Sequence, residues 1–212
     1  MTLSVSLKST DLAALLCSRI CHDLISPVGA IQNAMELYDE GGADDEALQL
    51  VRWSVASASA RLQFARLAFG FSGAGGGKID TRSAEQVAQQ YMKEEKATLK
   101  WESSSLLLPK NEVKLLLNLL LIANGAVSRG GEIVVRILQE ENKRSFRFEV
   151  CGKILRLPSH FMALYRGDFQ EELIDAHTIQ FYYTILLAEM TDMKITIDKT
   201  DNRIILESVK SF

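Results

Sequence analysis

Apolar residues recur at Leu12, Leu16, Ile20, Leu24, Val28, Ile31, Met35 and Tyr38, in steps of three and four. That period predicts one stripe along a helix from Asp11 to Tyr38. Ser9, Thr10 or Asp11 can cap its start, and Gly41-Gly42 can end it. Pro27 falls inside the pattern, removes a backbone donor and predicts a bend. A second stripe at Leu48, Val51, Val55, Ala58, Leu62, Ala65 and Phe69 makes a heptad run. Leu50, Ser54, Ser57, Arg61, Phe64, Leu67, Ala68 and Phe71 widen its buried face. A hairpin of two such helices has more apolar surface than it can cover alone. Two copies packed as a dimeric four-helix bundle cover it, so a homodimer is expected.

The periodicity breaks at Ser72-Gly73-Ala74-Gly75-Gly76-Gly77-Lys78. This run lacks the spacing and the Lys-Ser/Thr ending of a phosphate-binding loop and reads as a linker. The expected division is therefore a helical hairpin over 1–72, a linker over 73–78 and a second domain over 79–212. In that domain the pattern predicts helices over 83–96, 109–127 and 175–190. Strands are predicted over 98–102, 132–139, 145–150, 194–198 and 203–209, with a turn at Glu141-Asn142. Helices and mostly antiparallel strands in this order predict an α+β chain whose second domain is an α/β sandwich with its helices on one face.

Composition narrows the classes. At 47% hydrophobic and 24% charged residues the chain reads as globular. A net charge of −3 supplies no cationic face, so nucleic acid is not an expected partner. The run Leu115 to Ala123 is too short for a bilayer, which needs about 20 apolar residues. The opening MTLSVSLKSTDLAALL lacks the pattern of a signal peptide. A cytoplasmic protein without a membrane partner is expected. Cys17 and Cys21 stand four apart, but no neighbouring ligands complete a metal site, so the pair reads as buried packing.

The candidate chemistry lies in Ile20-Cys21-His22-Asp23-Leu24-Ile25-Ser26-Pro27. At about 100° per residue, His22 lies on the side of the first helix away from the apolar stripe. Ser18, Arg19, Ser26, Gly29 and Asn33 share that side, and all but Arg19 are small or uncharged. The stretch offers an imidazole on a low surface that another protein can approach. Asp23 can hold the ring through a hydrogen bond or contact a partner, and Arg19 can steer an acidic partner pocket. His160 and His177 belong to no recognisable motif and read as structural, with Asp175 a cap for the helix that follows. Phe181, Tyr182 and Tyr183 read as core.

His22-Asp23-Leu24-Ile25-Ser26-Pro27 resembles the H-box of two-component sensor histidine kinases. Over nearly its full length, including Asp175-Ala176-His177-Thr178-Ile179-Gln180-Phe181-Tyr182-Tyr183, the chain resembles the ChpT-type histidine phosphotransferases of alphaproteobacteria. The resemblance implies a cytoplasmic homodimer with a kinase-like hairpin and a degenerate Bergerat-type ATPase domain. It also implies the roles. His22 and Asp23 would be catalytic, and Ser18, Arg19, Ser26, Gly29 and Asn33 would form the partner-binding surface.

The nucleotide boxes of that kinase fold are damaged. Where a kinase helix reads Asn-Leu-Leu-x-Asn-Ala, this chain has Asn118-Leu119-Leu120-Leu121-Ile122-Ala123. Ile122 takes the metal-binding position and offers no oxygen to a hard cation. Asn124 lies about 200° further round the helix. The next glycine box is reduced to Gly152 after Val150-Cys151, and Arg166-Gly167-Asp168 holds a lone glycine where a lid would be. By resemblance, then, no cofactor is used, and magnesium comes with the partner's receiver domain. The partners implied are receiver domains of a hybrid kinase and of response regulators, of the CckA, CtrA and CpdR types, in a relay reaching cell-cycle regulators. Two other readings stay open: an ATP-dependent histidine kinase, and a scaffold that binds receivers without transfer.

Overall fold

The computed structural model describes residues 6–40, 45–70, 77–141, 143–168 and 174–211. Gly41-Gly42, Asn142, Phe71 and residues 73–76 of the expected linker lie outside them. The hairpin is α1 (Ser9–Asp39) and α2 (Asp45–Ala68). The helix α1 continues through Pro27, which is buried.

The rest of the chain runs β1 (Lys78–Asp80), α3 (Thr81–Met92), β2 (Ala97–Trp101), β3 (Leu107–Pro109) and α4 (Lys110–Ala126). It continues through β4 (Gly131–Glu140), β5 (Lys143–Cys151), α5 (Ser159–Arg166), α6 (Ile179–Met190), β6 (Lys194–Lys199) and β7 (Arg203–Ser211). The main sheet has the order β2-β4-β5-β7-β6, with only β2 and β4 parallel. The α+β class therefore stands.

Alternation explains how this sheet is faced. Ile133, Val135 and Ile137 of β4 and Phe146, Phe148 and Val150 of β5 point into the core. Arg136 faces the other way and pairs with Glu102 at 2.7 Å and Glu149 at 3.0 Å. The helix α4 lies in the middle of the core, with Leu115, Leu116, Leu117, Leu119, Leu120 and Ile122 fully buried. Phe64, Leu67 and Ala68 at the end of α2 join the same core, and Leu12, Leu15 and Leu16 of α1 pack against it. The hairpin thus forms a third layer over the helices that cover the sheet.

Some expectations change. Lys78, assigned to the linker, opens β1, which pairs antiparallel with β3 in a small separate sheet. Strands of three residues are too short to show a period. The helix α5 is new, and Gly167 at φ 80° ends it. The Asp168 N–H donates to Ala163 O at 3.0 Å, a helix-terminating bond that uses the glycine's left-handed backbone. The lone glycine is therefore a helix cap. Gly152 sits where a Cβ would meet Gly130 O at 3.1 Å, so close packing accounts for it. Cys17 and Cys21 are exposed free thiols, not buried, because they lie off the stripe that meets the core.

The apolar stripe of α1 also divides. Its first half packs on the chain's own core, whereas Val28 and Tyr38 remain 53% and 40% exposed. Among the described helices α1 alone is long and apolar enough to cross a membrane by composition. Its Arg19–Asp23 ion pair at 2.9 Å and its packing on the core account for it as a surface helix of this fold.

Candidate functional site

The site is built where α1 crosses the start of α6. Two bonds register the helices. At one end the Leu7 N–H donates to the Tyr182 hydroxyl at 3.0 Å. About three turns further along, on α1, the Arg19 guanidinium donates to His177 O at 3.2 Å. The same guanidinium donates to Asp23 Oδ2 at 2.9 Å, across one helical turn. Asp23 turns its other oxygen, Oδ1, toward His22 Nδ1 at 3.5 Å. The His22 side chain is 58% exposed.

His177 lies against His22. The ring centroids are 4.7 Å apart and the planes meet at 81°, an edge-to-face contact. His177 is held by the turn that leads into α6. Asp175 Oδ1 accepts the N–H groups of His177 at 2.9 Å and Thr178 at 2.8 Å. Those bonds, the Thr178 N–H foremost, hold the Asp175 carboxyl below the usual carboxylate range. The helix proper begins at Ile179, four residues later than the sequence pattern placed it. Asp175 caps the turn.

A groove of about 290 Å³ opens on the other side of His22. Ser26, Pro27 and Ala30 of α1 line it with Trp53, Ser57 and Arg61 of α2. Its floor is fixed by the Ser57 hydroxyl donating to Glu94 and by Arg61, which faces Glu95 at 3.7 Å and lies over the Tyr91 ring. A second cleft, lined by Pro158, Ser159, His160, Asp175 and Phe181, begins beyond His177.

The expected site residues separate into two groups. His22, Asp23 and Ser26 line one groove, and Arg19 is tied to Asp23. Arg19 is half-buried and bonded within the chain, so it braces the site; it is not a free steering charge. Ser18 and Asn33 are exposed on α1, and Gly29 faces open space. The sequence missed His177, which stands 155 residues from His22 in the chain and lies in no spacing motif.

The helix α4, which carries Asn118 and Ile122, is buried in the core. Ile122 and Asn118 are fully buried. Asn118 Nδ2 donates to Ala68 O at 3.0 Å and to Lys114 O at 2.9 Å, and Gln180 Nε2 donates to Asn118 O at 3.0 Å. Asn124 is bonded to Glu95 at 2.9 Å. Among the described residues, no cluster of three His, Cys, Asp or Glu side chains is arranged to hold a metal ion.

Residues 81–203 match the family model for the histidine phosphotransferase C-terminal domain. Protein phosphotransferase ChpT of Brucella abortus (strain 2308) is 53% identical over 208 residues, covering 98% of this chain and 100% of that protein. The solved 1.7 Å structure of a bacterial phosphotransferase superposes with a TM-score of 0.91 at 52% identity, covering 98% of this chain and 100% of that one. The chain belongs to the histidine phosphotransferases. Within that class it is of the ChpT type, a protein phosphotransferase.

Proposed function

We propose that this protein relays phosphate without using ATP, accepting a phosphoryl group on His22 from a receiver-domain aspartate and passing it to response-regulator aspartates. The observation that carries the reading is the His22 ring, exposed to a partner while Nδ1 faces the Asp23 carboxylate. A carboxylate at Nδ1 favours the tautomer with its proton there, which leaves the lone pair on Nε2. In transfer, Nε2 attacks phosphorus, the N–P bond forms and the acyl P–O bond breaks, and the donor aspartate leaves as a carboxylate. The ring gains positive charge, which the Asp23 carboxylate stabilises, and Arg19 holds that carboxylate in place. Positioning supplies most of the catalysis, with magnesium carried by the receiver.

The absence of ATP use rests on Ile122, whose buried side chain takes the metal-binding position. Homodimer formation rests on a band of exposed apolar residues along the hairpin: Ile25 at 68%, Val28 at 53%, Val55 at 46% and Leu62 at 54%. A second hairpin laid on this band completes a four-helix bundle and leaves His22 open. The receiver then docks on Ser18, Ser26, Gly29 and Asn33 of α1 and on the α1–α2 groove, in the cytoplasm.

Incubation with a receiver carrying labelled phosphate tests the reading. Acid-labile label is expected on the wild type and is lost in His22→Ala. Label taken directly from ATP refutes the ATP-free relay, and receiver binding without transfer makes the protein a scaffold.

A further inference from the structure

We infer that the Asp175–Thr178 turn is a positioning arm for the phosphoacceptor, and that the His177 ring holds His22 in its attacking orientation. This rests on His22 being the phosphoacceptor.

A histidine on an open helix face samples several staggered rotamers, and only some of them aim Nε2 at an incoming phosphorus. Asp23 restrains one edge of the ring, but at 3.5 Å from Nδ1 that restraint is loose. The His177 ring meets His22 at a centroid distance of 4.7 Å and closes off a second direction. The contact comes from a different layer of the fold, and its geometry is fixed on both sides. Asp175 Oδ1 pins the His177 and Thr178 N–H groups, and Thr178 itself is buried. The Arg19 guanidinium joins Asp23 to His177 O, so the brace on His22 and the arm beside it move together. The Leu7–Tyr182 bond keeps α1 from sliding along α6. In this reading the C-terminal domain delivers no nucleotide; it supplies the arm that orients the histidine.

The role is one of ring packing, so it predicts a particular pattern among variants. The His177 side chain is exposed, and its backbone bonds do not depend on it, so truncation leaves the fold intact. Single-turnover transfer from a phosphorylated receiver is measured on the full-length chain at several receiver concentrations. In His177→Ala the rate at saturating receiver is expected to fall about 5- to 10-fold, the size of a lost orientational restraint. The half-saturating receiver concentration stays within about twofold, and His177→Phe, which restores the ring without its nitrogens, returns most of the rate. Three results overturn the inference: a wild-type rate in His177→Ala, a His177→Phe variant as slow as the alanine, or a rise in half-saturation alone, which would make His177 a docking contact. If the wild type takes no label, or His22→Ala keeps it, the relay itself fails, and that outcome is distinct from all three.

Discussion

Two helices, α1 and α4, carry the stretches that resemble kinase motifs, and they differ in what they expose. In α1 only Pro27 and Ala34 are buried, and the imidazole of His22 stands in solvent beside a groove. In α4 nearly every residue from Glu112 to Ala123 is buried, Asn118 included. The difference lies in what each helix leaves uncovered. The leucine-filled α4 is packed within the core, and Asn118 bonds it to α2 and α6. The helix α1, half-covered by its own chain, keeps exposed apolar residues such as Ile25 and Val28.

The sharpest way to break this contrast is to restore the polar residue that α4 lacks. Ile122→Asn would place an amide in a fully buried site surrounded by leucines. Lost burial together with an unpaired polar group is expected to cost about 3–5 kcal/mol. Urea denaturation checks the stability, and incubation with labelled ATP checks for recovered nucleotide use. A stable variant that took label from ATP would show that α4 is a closed kinase helix only by one side chain.

The next effect belongs to α1 and α2. Val55 is 46% exposed on the hairpin's apolar band, so Val55→Glu should change the stability of a single copy by no more than about 0.5 kcal/mol. In a four-helix bundle the same change puts a charge in the interface of both copies, and association is expected to weaken about 100-fold or more. Analytical ultracentrifugation across a concentration series reads this directly. An unchanged association state would rule this band out as the dimer surface.

How much of this was legible in the sequence follows the same division. The helices α1, α2 and α4 are long and periodic, so their stripes located them within a few residues. The side of α1 that bears His22 also followed from helical geometry. What the stripe of α1 could not say was which part faced what. Leu12 and Leu16 meet the chain's own core while Val28 and Tyr38 do not, and only the tertiary fold makes that division. Short elements were lost for lack of length: β1 and β3 have three residues each, and α5 has eight. Gly167 ends α5, but a lone glycine after Arg166 does not by itself separate a helix cap from a loop. His177 was out of reach, because a contact between residues at opposite ends of a chain leaves no trace in local spacing. Arg19 was found, but as a free charge, since its second bond goes to a backbone carbonyl of α6's leading turn.

The smallest effect concerns that turn, where α1 meets the lead into α6. The Asp175 carboxyl is held below its usual range, mainly because it accepts the Thr178 N–H. The sign follows from linkage. A carboxyl whose pKa is lower folded than unfolded contributes stability above the unfolded value of about 3.9, and loses it as pH falls through the folded value. Asp175→Asn keeps an acceptor oxygen and removes the charge. At pH 7 it should cost at most about 1 kcal/mol, the scale of a capping interaction at an exposed site. Near pH 3, below the unfolded value, the difference from wild type should shrink, because protons then bind the unfolded wild-type carboxyl and favour unfolding. Thermal melts of the two proteins at both pH values measure this. A gap of the same size at pH 7 and pH 3 would show that the carboxylate charge is not what stiffens the turn, and would leave the acceptor geometry alone to hold His177 against His22.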